Sequence, residues 1–193
     1  MRLSRSSDAV DPAERVRDFA RAQVRAGLLE EQAVLDEVTR AAADELADED
    51  ATGFATEAVR AARTELAADE ADWPEATDYD RLQAVFAELE SRDVAVLQGV
   101  DDHWTAKGEL ERRDDAGEQL TGIAWFTAPD VWHAIDHGML EVNLWHGDTA
   151  NVAPGDELLD TTLERFEAHG LSAHFDEGRI EVTAHWLRRV TTV

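Results

Sequence analysis

The apolar residues of this chain change their spacing at Trp73-Pro74. From Asp11 to Trp73 they recur three and four apart, with no proline between Pro12 and Pro74; beyond that point helical faces alternate with segments in which every second residue is apolar. Helical spacing buries one stripe of a helix and alternation buries one face of a strand, so the two halves cannot share an architecture. The change predicts a disordered N-terminal tail at 1–10, a helical subdomain at 11–73 and an α+β domain at 74–193.

In the helical part, Asp11 suits an N-cap, Pro12 suits the first helical position and Glu14 follows in the first turn. Val16, Phe19, Ala20 and Val24 then share a face before Gly27 closes the helix. Val34, Leu35, Val38, Ala42 and Leu46 make a second stripe, and Phe54, Ala58, Val59, Ala62 and Leu66 a third, with acidic Asp48-Glu49-Asp50 between them. The stripes are alanine-rich, so each buries little area.

Beyond Pro74, Leu82, Val85, Phe86 and Leu89 predict a helix over 77–92. Strands follow at 94–98, 123–126 and 140–146. Between them come a charged helix within 101–119 and a short one from Thr127 to His137, closed by Gly138. A further helix carries Leu159, Thr162, Leu163 and Phe166 and ends at Gly170. The last segment permits a register argument. A two-residue turn at Glu177-Gly178 sets Phe175 opposite Ile180, Ala173 opposite Val182 and Leu171 opposite Ala184, so that every apolar side chain, Trp186 included, falls on one side. His174 then faces Glu181 on the polar side. The expected fold class is α+β: an N-terminal helical subdomain, then a roughly five-stranded sheet with helices on one face, ending in a β-hairpin.

Composition acts by exclusion. Lys and Arg number 18 against 43 Asp and Glu, a net charge of −25. Such a field repels phosphate backbones and anionic lipid surfaces, which are bound through clustered basic residues, so no nucleic-acid and no membrane partner is expected. Cysteine is absent, which removes disulfides, thiolate metal sites and thiol nucleophiles. Arg2 and Arg5 precede no apolar run, and no segment approaches the roughly 18 apolar residues of a membrane span. The default expectation is a cytoplasmic protein.

The run Trp73-Pro74-Glu75-Ala76-Thr77-Asp78-Tyr79-Asp80-Arg81-Leu82, followed by Phe86-Ala87-Glu88-Leu89-Glu90, resembles the opening of an uncharacterised bacterial domain family of unknown function. Ala134 to Gly138 running into Leu140 to Gly147, and the closing block Leu163 to Val182, follow that family's order of helix, strand, helix and hairpin. The resemblance implies a cluster of cysteines just after the first strand in many members. Val100, Asp101, Asp102, His103 and Trp104 stand there in this chain, so the resemblance implies a fold without a mechanism.

Three local patterns invite a chemical reading. His133-Ala134-Ile135-Asp136-His137 resembles the inverted zincin pattern with Asp in place of Glu, and Asp130, one turn earlier, projects nearly the same way. A metal-dependent hydrolase using Asp130, His133 and His137 is therefore the alternative function. Against it, the stripe Val131, Ala134 and Ile135 turns both histidines toward water. Asp101-Asp102-His103-Trp104 follows a strand end and pairs carboxylates with an imidazole, as acid/base catalysis requires. Trp125, Trp132, Trp145 and Trp186 fall on or beside strands. Trp186 alternates with core residues, whereas Trp145 shares the side of Glu141 and Asn143, where it is either covered by a helix or by the N-terminal bundle, or lines a groove.

No G-x-S-x-G turn, G-x-G-x-x-G loop or phosphate-binding lysine loop is present. The blocks Asp44 to Asp50 and Glu109 to Asp115 read most simply as solvated surface that keeps the chain soluble, the alternative being attraction of a basic protein. The sequence thus points to a non-catalytic, acidic interaction or regulatory protein with a protein partner, no cofactor, no assigned metal and no assigned catalytic residue.

Overall fold

A computed structural model describes residues 11–46 and 50–190. The tail expected at 1–10, like Asp48 and Glu49 of the acidic separator, lies outside the described residues. The chain divides into two compact units, one reaching Asp72 and including Val190, the other Trp73–Arg189.

The first unit holds α1 (Pro12–Ala26), α2 (Glu31–Glu45) and α3 (Ala51–Glu70). Asp11 caps α1 by accepting from the Ala13 N–H at 3.2 Å, and Gly27 ends it in the left-handed conformation at φ 59°. Val16, Ala20 and Val24 of α1, Val34, Val38 and Ala42 of α2, and Ala55, Val59, Ala62 and Leu66 of α3 are buried. Ion pairs lace the surface around this thin core. Arg21 Nε lies 3.2 Å from Glu65, and Arg63 and Arg25 pair with Glu31 and Asp69.

The second unit opens with α4 (Asp78–Glu90). Its capping box is complete: the Thr77 N–H donates to Asp80 Oδ2 at 2.8 Å while the Asp80 N–H donates to Thr77 Oγ1 at 3.3 Å. There follow β1 (Val94–Val100), α5 (His103–Asp115), β2 (Gly122–Thr127), α6 (Ala128–His137), β3 (Met139–His146), α7 (Glu157–Ala168), β4 (Ser172–Asp176) and β5 (Arg179–Thr183). The five strands form one mixed sheet in the order β1-β2-β3-β5-β4, parallel between β1 and β2 and antiparallel elsewhere. The closing hairpin has the register expected of it, Phe175 opposite Ile180, Ala173 opposite Val182 and His174 opposite Glu181. Glu177 at φ 43° and Gly178 at φ 93° supply its two left-handed turn residues.

The sheet carries helices on both sides. Phe126 of β2 meets Phe86 of α4 at 5.7 Å between ring centroids, and Phe86 meets Phe166 of α7 at 6.5 Å, so α4 and α7 share a face. The expectation of helices over one face holds for these two and not for α5. Ala106 and Leu110 of α5 pack with Ala95, Ile123 and Trp125, the alternate residues of β1 and β2, on the opposite side. The cause is the parallel β1-β2 pair: a connection between parallel neighbours must cross over a face of the sheet. Covered on both sides, Gly122 to Phe126 are all buried.

Candidate functional site

The proposed metal ligands are held by other interactions. Asp130 belongs to the capping box of α6, where its Oδ2 accepts from the N–H and the hydroxyl of Thr127, both at 2.7 Å. His133 and His137 pack ring against ring, 4.8 Å between centroids and edge-on at 69°. Among the described residues no group of three or more His, Asp or Glu side chains is placed to hold a metal. The metal-dependent hydrolase therefore has no support.

The tryptophans do not gather on one surface. Trp125 and Trp145 meet at 5.1 Å, edge to face, on the α5 side of the sheet. Trp186 packs on the other side against Phe126 at 5.8 Å and Tyr79 at 4.8 Å. Trp145 is half-buried and leans on the cluster beneath α5, so it is covered from that helix's side. Trp125 Nε1 is buried and has no acceptor among the described residues.

A cleft of about 400 Å³ opens where β3 ends and α7 begins, lined by Arg92, Thr121, His146, Asp156, Glu157 and Thr161 among others. Asp156 stands at the N-cap of α7 but does not cap it. Its Oδ2 instead accepts from the Ala153 N–H at 2.7 Å and faces His146 Nε2 at 3.1 Å. The Ala153 N–H, and after it the imidazole, hold the Asp156 carboxyl below its ordinary range. Among the described residues His146 has no hydroxyl within hydrogen-bonding distance. The pair therefore ties the 147–156 loop to the end of β3 and lacks the nucleophile contact of a catalytic triad.

The segment after β1, a candidate acid/base pair by sequence, is built as a helix start. Gly99, at φ 66°, makes a bulge between Gln98 and Val100, after which Val100 still pairs with Thr127 of β2. Asp102 then becomes the N-cap of α5, its Oδ1 accepting from the N–H groups of Trp104 at 2.9 Å and Thr105 at 3.2 Å. The imidazole of His103 lies against the indole of Trp104, centroids 4.6 Å apart. Lys107 Nζ sits 5.5 Å from the centre of the same ring. Trp104 is 62% exposed, a position apart from the covered Trp125 and Trp186. Sequence reasoning placed Trp104 beside candidate catalytic groups and missed that the ring itself is presented to solvent. The signal was available, because Trp104 lies two residues before Ala106 on a helix with very few apolar positions.

No curated protein and no solved structure matches the chain. A family model matches residues 9–190, and by that match the chain belongs to the family described as a domain of unknown function, DUF6891.

Proposed function

We propose that this is a non-catalytic interaction protein of the cytoplasm that binds a basic partner protein through its acidic surface. The observation that carries this reading is how the charge is spent. Thirteen of the described arginines lie within ion-pair distance of a carboxylate. With 43 acids against 18 bases, and most of the described cations already paired, carboxylates are in surplus. A surface of one sign raises the encounter rate with an oppositely charged protein and repels nucleic acid. The absence of cysteine removes thiol chemistry from the segment in which the resemblance places cysteines.

The test is a calorimetric titration of the full chain with an oligo-arginine peptide and with an oligo-glutamate peptide of equal length. Saturable binding of the first alone, weakening as salt rises, is the expected result. Equal behaviour of the two peptides would remove the proposal.

A further inference from the structure

We infer that the outer face of α5, centred on Trp104 and Gly108, is the docking site for the basic segment of that partner. This rests on the reading above and gives it an address. α5 is held to the sheet by Ala106 and Leu110, 0% and 5% exposed. Each helical residue turns about 100°, so Trp104 and Gly108, two before and two after Ala106, both point away from the sheet and lie about 40° apart. Glu111 and Asp115 continue the same face one and two turns on, Asp101 flanks its start, and Arg112, paired with Glu109, stands one turn after Gly108; all four are exposed.

Neither central residue is packed into the core: Trp104 touches His103 and Lys107 of its own helix and is otherwise open to solvent. Burying an aromatic ring of this size stabilises a fold substantially, and Trp104 forgoes most of it. Glycine within a helix is destabilising relative to alanine, yet a Cβ at Gly108 would meet nothing within 4 Å. Packing does not demand a glycine there, and α5 has only two buried anchors to spare stability from. What Gly108 provides is bare backbone beside an exposed indole. An arginine or lysine can lay its aliphatic stem across that flat, with its cationic head over the ring or among the carboxylates.

The occupant follows from charge. Lys107 already sits over the Trp104 ring and lies 3.6 Å from Glu111, so this face attracts cations within the molecule itself. An acidic segment would meet Asp101, Glu111 and Asp115, and a purely apolar one would strip them of water without replacing it. A basic peptide segment satisfies both the ring and the rim.

The experiment uses the oligo-arginine peptide, the full chain and the variants Trp104→Ala, Gly108→Ala and, on α7, Glu164→Gln as a charge control. Trp104→Ala should weaken binding by about tenfold or more, and Glu164→Gln should leave it within about twofold of the parent. Gly108→Ala should raise the unfolding midpoint while weakening binding severalfold, opposite signs that a merely structural role does not produce. Parent-like binding by both Trp104→Ala and Gly108→Ala would overturn the address and leave the charge reading standing. Failure of the parent to bind the peptide would remove both.

Discussion

Phe126 is the residue on which the facing of β2 can be tested. It is fully buried, and its ring lies 5.7 Å from that of Phe86 and 5.8 Å from that of Trp186. Truncation to alanine would open a cavity between three elements and should cost about 3–5 kcal/mol. The milder pair Phe126→Leu and Phe86→Leu removes one aromatic contact twice over, so the double variant should depart from additivity by about 1 kcal/mol. Ile123 points to the α5 side. Phe126→Leu with Ile123→Val should therefore add within about 0.5 kcal/mol. The assay is selective, because all six tryptophans lie between Trp73 and Trp186, within the second unit. Urea unfolding followed by tryptophan fluorescence reports that unit alone. A one-residue slip of β2 would exchange its faces. Additivity between Phe86 and Phe126, together with coupling between Phe86 and Ile123, would refute the assignment.

Three further outcomes follow from the same structure. Thr77→Ala removes one side of the α4 capping box at a buried position and should cost about 1 kcal/mol in the same fluorescence assay. Glu109 is held down to about 2 by Arg112 and, after it, Arg113, each donating from Nε at 2.8 Å. A carboxylate with a depressed folded pKa stabilises above its ordinary value of 4.5, and that contribution is lost as pH falls through about 2. Glu109→Gln should accordingly flatten the acid limb of a stability-against-pH curve followed by circular dichroism, and an unchanged limb would contradict the pairing. Elemental analysis of the purified chain should find no metal at one equivalent, and His133→Ala with His137→Ala should leave the unfolding midpoint in place.

Local interactions made much of this fold legible. Asp11-Pro12 and Gly27 bracket α1 because caps act within one turn. The closing hairpin could be registered because a two-residue turn leaves one pairing that keeps Phe175, Ala173, Ile180 and Val182 together. The parallel pairing of β1 with β2 and the placement of α5 depend on contacts distant in sequence, and no periodicity of either segment records them. Asp130 shows how a chemical pattern can mask a local one. Thr127-Ala128-Pro129-Asp130 has the same capping spacing as Thr77-Asp78-Tyr79-Asp80, and two hydrogen bonds to Thr127 decide its role over any metal. Trp104 is masked in a similar way: it stands in the run Asp101-Asp102-His103-Trp104, whose carboxylates and imidazole draw the chemical reading, although the wheel of α5 about Ala106 turns it outward.

On the proposed docking, Trp104 and the carboxylates around it take a cationic segment while the other indoles stay out of contact. The six indole N–H resonances, with that of Trp104 assigned by Trp104→Phe, can be followed during titration with the oligo-arginine peptide. A saturable shift of the Trp104 signal is expected, with those of the buried Trp125 and Trp186 unmoved. A stationary Trp104 signal at saturation would contradict it.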